Sequence, residues 1–381
     1  MNRVIEQNKP WIDETWEKVN KKLGVIALRS RYKLPYTSIS GTHDNRAETD
    51  PNWWTNGFWG GMMWLMYIET GNEEYRKTAE CSEVLLDKAF ANYKKMNHDL
   101  GFMWHLVSGA NYRITGNEES CSRNLLAASI LFSRYNIDGE FIRAWNGDKH
   151  AGYSIIDCLM NLSLLYWASE EIHDERFKKV AMKHMDMALR DHIRINGSVN
   201  HIVNHEIDKV GVKNVLAGQG FSEKSCWSRG LAWAVYGSVI SYIHSGKEEY
   251  LNAAKKTANY FIEHCKRTEY LPLVDFDAPD MPVYYDSTAG VCAACGMLEI
   301  AKYVSEVESE RYTQEAIMIL KAIDKNCCNY DENEDALVFM GTEKYLHEGT
   351  NTKGLHIPII YGDFFFVEAL LKLRENNFFI W

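Results

Sequence analysis

The chain has no disulfide framework: its nine cysteines are odd in number and irregularly spaced. That argues against a disulfide-stapled secreted fold and for reduced thiols in a cytosolic protein. The opening MNRVIEQNKPWIDETW lacks the apolar core of a signal peptide, and no later stretch is apolar for long enough to span a bilayer. Proline is scarce, at seven residues, and no Pro/Gly/Ser-rich linker or low-complexity segment divides the chain. Residues 1–381 are therefore read as one domain, although the length exceeds the usual single-domain size. Cations are in deficit, 42 Lys and Arg against 52 Asp and Glu, for a formal charge of -10. This balance disfavours nonspecific binding to nucleic acid or to an anionic membrane. An anionic small molecule would need local Arg or His to hold it. Nothing in the sequence fixes an oligomeric state.

Common catalytic signatures are missing as well. GFWGG (57–61) lacks the lysine of a P-loop and the spacing of a dinucleotide fingerprint. There is no Ser-centred elbow and no nucleophilic Cys motif. Cys292 and Cys295 form a single CxxC in the apolar run VCAACGML, with no second pair, and read as small packing residues rather than zinc ligands. His201 and His205 in NHIVNHEI alternate with apolar residues. They read as a strand with one face toward a site, donating hydrogen bonds rather than holding a metal.

What is abundant is aromatic: 12 Trp, 21 Tyr and 15 Phe, able to pack a core or to stack on sugar rings. One phrase also recurs, as GNEEYRKTAE (71–80), HDERFKKVAM (173–182), GKEEYLNAAK (246–255) and SERYTQEA (309–316), with GNEESCSRNLLAA (116–128) a weaker copy. Acids followed by a helical apolar pattern mark the start of an amphipathic helix. The segments before these copies, such as NGFWGGMMWLMYIET (56–70) and CWSRGLAWAVYGSVISYIH (226–244), are apolar on most faces and belong inside. With GFMWHLVSGANYRI (101–114), SIIDCLMNLSLLYWAS (154–169), DSTAGVCAACGMLEIAKYV (286–304), DFFFVEALLKLRE (363–375) and the amphipathic residues 4–23, roughly six inner helices alternate with six outer ones. Short turns follow the inner helices and long irregular loops precede them. The pattern describes an all-α, (α/α)6 barrel with long loops at the mouth; an open helical solenoid is the architectural alternative.

In such a barrel, residues at the start of each inner helix share one mouth. Those positions hold Trp53, Trp54 and Asn56, then His98 and Asp99, Asp157, Gln219, Trp227 and Arg229, Asp286 and Ser287, and Asp363. Asp157 interrupts a segment that otherwise reads as buried helix. A buried carboxylate must be hydrogen-bonded, paired or protonated, so either backbone donors or an Arg satisfy it, or it does chemistry. Asp99, beside Phe102 and Trp104 in NHDLGFMW, is read either as the cap of the helix beginning near Gly101 or as a second functional acid. Two adjacent carboxylates push their proton affinities apart, which allows one to remain a proton donor.

The stretches WTNGFWGGMMWLMY, NHDLGF, IIDCLMNLSLLYWAS, GQGFSEKSCWSRGLAWAVYG, DSTAG and YGDFFFVEALL, from about residue 50 to 375, resemble the unsaturated glucuronyl hydrolases of glycoside hydrolase family 88. A related family acting on unsaturated rhamnogalacturonan shares the barrel and acids but matches these segments less well. The resemblance implies an (α/α)6 barrel and removal of a nonreducing-end 4,5-unsaturated uronic acid from lyase-made disaccharides or oligosaccharides by hydration of the C4=C5 bond. It implies that Asp157 is the general acid/base and that Asp99 is the second essential acid. It places His98, His201, Gln219, Trp227, Arg229 and Trp233 among substrate contacts, Arg229 as partner of a substrate anion. It leaves Trp145, with Trp53 and Trp54, as stacking walls. No metal or organic cofactor is implied. Relatives that prefer sulfated substrates carry a serine-rich segment ending in lysine before the last inner helix. Here HEGTNTKGLH (347–356) keeps Lys353, but Glu348 and Asn351 stand at the serine positions, which implies a preference for unsulfated substrates. A noncatalytic helical sugar-binding protein is the reading from another class, and it leaves Asp157 unexplained.

Overall fold

Each turn from an inner to an outer helix is set by local backbone chemistry. Gly71, Gly116 and Gly246 end three inner segments with φ of 68°, 74° and 71°, the left-handed region that an L side chain disfavours. The next residue then caps the outer helix in two of them. Asn72 Oδ1 accepts from Glu74 N–H, and Asn117 Oδ1 accepts from the N–H groups of Glu119 and Ser120. Asp174 and Ser305 cap two more outer helices in the same way. The recurring acidic phrase thus marks a helix start, capped by a side chain in every case but Lys247, with glutamates in the first turn facing the positive end of the dipole.

The computed structural model describes residues 2–381. In chain order its barrel helices are α1 (Arg3–Arg29), α2 (Asn56–Thr70), α3 (Glu73–Leu86), α4 (Ala110–Thr115), α5 (Glu118–Ser133), α6 (Cys158–Glu171) and α7 (Glu175–Asp191). They continue with α8 (Ser228–Ser245), α9 (Glu248–Lys266), α10 (Ser287–Ile300), α11 (Glu306–Cys327) and α12 (Ile360–Leu373). Even-numbered helices are inner and odd-numbered ones outer. Around the inner ring α2 meets the segment leading into α4, which meets α6; α8, α10 and α12 follow, and α12 returns to α2. That closure replaces the open-solenoid alternative with a closed toroid. All of α10 is buried, whereas α9 buries one stripe and leaves the rest to solvent, as the apolar patterns require.

The second inner segment departs from the expected α-helix. Gly101–Gly109 is a π-helix that runs into α4. Glycines let this wider backbone fit between its neighbours. A Cβ on Gly57 of α2 would lie 2.1 Å from the Phe102 carbonyl oxygen, and one on Gly101 would lie 2.8 Å from Asn161 Cα in α6. Wide helical turns of this kind concentrate at functional sites.

The long loops are not wholly irregular. Residues from two of them form an antiparallel sheet of β1 (Tyr153–Ile155), β2 (Ile202–His205) and β3 (Val212–Leu216), with Ile155 opposite Ile202 and Ile202 opposite Leu216. Ile155 and Ile202 anchor a small apolar cluster with Ala144, against which Trp145 packs. The sheet braces the mouth of the barrel. Among the described residues, no helix is long and apolar enough to cross a membrane.

Candidate active site

A cavity of about 450 Å³ opens among the N-terminal ends of the inner helices. It is lined by His98, Asp99, Trp145, Asp157, His201 and Gln219, together with Trp53 and Trp54. Three sources deliver these groups: the loop before α2, the junction before the π-helix, and the small sheet with its flanking loops.

Asp157 stands directly before α6 with φ -59° and ψ -26°, already helical, and its side chain makes no capping bond. Its Oδ1 is buried without a hydrogen-bond partner. Burial therefore pushes its pKa up to about 7, with the positive charge of Arg229 opposing the rise. Asp99 is also buried, at 6% exposure. Burial, and then the neighbouring charge of Asp157, hold its pKa well above the ordinary carboxylate range, while Arg134 and the amides of Asn161 and Asn97 oppose the shift. The charge of Asp157 is thus felt at Asp99, the second acid of the cavity.

The capping role considered for Asp99 is not what the structure shows. No side chain of its own segment caps the π-helix. Instead Asn161 Oδ1, from the neighbouring α6, accepts from Phe102 N–H at 2.8 Å. Asn161 Nδ2 lies 3.4 Å from the Asp157 carbonyl oxygen as its donor. One amide thus ties together the two segments that carry the acids. Asn161 follows Asp157 by one helical turn in IIDCLMNL, a second polar residue in the same buried run. That is the signal by which it could have been found.

Two histidines flank the acids. His201 Nδ1 accepts from Gln219 N–H at 2.8 Å, which leaves Nε2 to carry the proton of a neutral ring. That Nε2 is 3.7 Å from Asp157 Oδ1, and His98 Nε2 is 3.6 Å from Asp99 Oδ1. Burial lowers both histidine pKa values to about 3, so at neutral pH they are uncharged and do not neutralise the acids. His205 does not share this face, contrary to the strand reading. A register irregularity between Asn204 and His205 turns it away, and its Nε2 pairs with Ser154 Oγ at 2.8 Å. Among the described residues no group of three His, Cys, Asp or Glu side chains is arranged to hold a metal ion.

Five other sequence candidates do not line the cavity. Arg229 is 1% exposed. It is ion-paired with Asp286, and it donates from Nη1 to the Thr342 carbonyl and from Nη2 to the Glu343 carbonyl, both at 2.7 Å. Its terminal nitrogens are thus engaged inside the protein, and its charge reaches the site by lowering the pKa of Asp157. Trp227 lies behind His201, ring centroids 4.3 Å apart, and under the Arg229 guanidinium at 4.5 Å. Trp233 is fully buried against Phe102 and Phe365. Lys353 sits exposed in the loop before α12. Asp363 accepts from the N–H groups of Leu337 and Val338 at 2.9 and 2.7 Å and so holds a loop. Lys95, Asn97, Asp50 and Asn52, which also line the cavity, stand in loop sequence without any periodic pattern to mark them.

No protein-family model matches the chain. It is 31% identical over 372 residues to an unsaturated chondroitin disaccharide hydrolase of Streptococcus pyogenes serotype M1, covering 94% of this chain and 92% of that one. It is 29% identical over 374 residues to an unsaturated glucuronyl hydrolase of Bacillus sp. strain GL1, covering 95% and 97% of the two chains. The crystal structure of the Bacillus sp. GL1 unsaturated glucuronyl hydrolase superimposes with a TM-score of 0.86 at 28% identity, over 95% of this chain and 97% of that one. With near-complete coverage in sequence and in fold, and with a paired-acid cavity at the barrel mouth, the chain belongs to the unsaturated glucuronyl hydrolase family of glycoside hydrolases.

Proposed function

We propose that the whole chain acts as one catalytic domain that releases the nonreducing-end 4,5-unsaturated glucuronic acid from lyase-generated glycosaminoglycan disaccharides and oligosaccharides. Asp157 is the general acid/base. The observation that carries this reading is the unpartnered, buried Oδ1 of Asp157 in the cavity, on a carboxyl whose pKa is pushed up to about 7. Such a group holds a proton near neutral pH and has no internal partner to give it to.

The chemistry follows from the substrate. The C4=C5 bond is conjugated with the ring oxygen as an enol ether. The Asp157 carboxyl gives its proton to C4, which leaves a cation shared between C5 and the ring oxygen. Water adds at C5 while the Asp157 carboxylate takes one of its protons, which restores the acid. The hemiketal at C5 opens to a ketone, and the glycosidic bond then breaks without further help. Asp99 raises the proton affinity of the pair and supplies acceptors for sugar hydroxyls. Neutral His98 and His201 donate hydrogen bonds, Gln219 fixes the His201 tautomer, and Trp53, Trp54 and Trp145 wall the sugar.

The same reading extends to sulfation. Glu348 and Asn351 replace hydroxyl side chains in the loop of Lys353, and an acid there repels sulfate, so unsulfated substrates are favoured. The test is a panel of lyase-made disaccharides followed by loss of the enol-ether absorbance. Unsulfated chondroitin and hyaluronan disaccharides are expected to turn over and the unsaturated rhamnogalacturonan disaccharide to persist. Turnover of the rhamnogalacturonan substrate alone overturns the substrate class, and equal rates on unsulfated and 6-sulfated chondroitin disaccharides overturn the sulfation preference.

A further inference from the structure

A second cavity, of about 400 Å³, lies behind the wall of the first. The two share their partition. Lys95, Asn97 and Trp145 face the first cavity, and Tyr93 and Asn146 face the second. Two arginines, Arg134 and Arg143, line the second cavity beside Tyr93 and Tyr135.

The charge here is out of character for the molecule. In a chain with ten excess negative charges, two guanidinium groups line one cavity, each disfavouring the charge of the other. Neither has a carboxylate within ion-pairing distance among the described residues. Their roles differ. Arg134 binds the partition itself, donating to the carbonyls of Met96, Arg143 and Ala144 and to Asn146 Oδ1, at 2.8 to 3.1 Å. Arg143 makes one bond, from Nη2 to the Gly147 carbonyl at 2.6 Å, and its Nε is buried without a partner. A buried, unpaired guanidinium N–H is costly to leave unmade, and its planar fork matches a carboxylate or a sulfate. Tyr93 is 58% exposed and offers a ring face on which a sugar stacks.

We propose that this second cavity is an anion subsite that takes the carboxylate or sulfate of an acidic saccharide on Arg143, with Tyr93 against the sugar ring. The choice of a saccharide rests on the hydrolytic reading above, but the anion site does not. Because binding is measured without turnover, either can fail alone.

The test is titration of the full chain with sodium sulfate and, separately, with sodium glucuronate at constant ionic strength, read by calorimetry. Saturable binding is expected, weakened about tenfold or more by Arg143→Gln, the loss of one charged hydrogen-bonding partner. Lys95→Gln, on the first cavity, should leave it unchanged. Tyr93→Ala, on an exposed side chain that does not endanger folding, should weaken glucuronate and spare sulfate. The tighter of the two anions identifies the group recognised. Absence of saturable binding for both anions, equal affinity in Arg143→Gln, or loss of binding in Lys95→Gln overturns the subsite.

Discussion

On one side of the barrel mouth stand Asp99 and Asp157; on the other stand Asp286 and Asp363. All four are acids at or near the start of an inner helical segment; three are buried, while Asp157 keeps 13% of its side chain exposed. Asp286 caps α10 through Thr288 N–H and holds the Arg229 charge, and Asp363 accepts two backbone N–H groups. Asp157 caps nothing and leaves an oxygen unpartnered, with a neutral histidine as its neighbour. Position in the barrel is therefore not what leaves an acid unpartnered. The second side stiffens the loops so that the first can keep two carboxyls dry and unneutralised.

Mutations can break this contrast. The largest effect is expected from Asp157→Asn, which removes the transferable proton: kcat should fall by about 10²–10⁴-fold, with little change in KM. Arg229→Met should do the reverse. It strands Asp286 as a buried, uncompensated charge, and urea denaturation should show a loss of roughly 3–5 kcal/mol, with KM little changed in the protein that remains folded.

A smaller effect separates the sides by pH. Asp157 has a folded pKa of about 7, above the value of 3.8 for a free aspartate. The native state therefore holds a proton that the unfolded chain has lost between these values. Its contribution is full below the unfolded pKa and is lost as pH rises to the folded one. Asp157→Asn should accordingly raise the melting temperature relative to wild type at pH 8 and leave it nearly equal at pH 4. An equal offset at both pH values would remove the raised proton affinity from the account. The smallest effect is expected at Lys353→Ala, an exposed side chain that does not line the cavity, for which kcat/KM on an unsulfated disaccharide should stay within about twofold.

Much of this was legible in the chain. The alternation of all-apolar and amphipathic helices reports the barrel because helix period and burial act locally. Asp157 stood out because a charge in a buried run has few explanations. The π-helix was not legible: its cause is the close approach of Gly57 and Gly101 to neighbouring backbones, a tertiary fact without a sequence period. The burial of Arg229 and Trp233 was not legible for a related reason. Their position near the start of an inner helix places them at the mouth, but only packing decides whether a side chain there points into the cavity or into the core. Asn161 shows the converse, a residue whose importance lies in bridging two helices that are 59 positions apart in their hydrogen-bonded pair.

The central claim is that Asp157 delivers the proton. Its most direct test is the pH profile of kcat/KM on an unsulfated unsaturated chondroitin disaccharide, followed by loss of the enol-ether absorbance, for the wild type and Asp157→Asn. The wild-type rate should fall as pH rises through about 7, as the acid loses its proton, and a nearly inactive Asp157→Asn should show no measurable limb. A variant that keeps the wild-type rate and the same alkaline limb would contradict the claim and place the proton donor elsewhere.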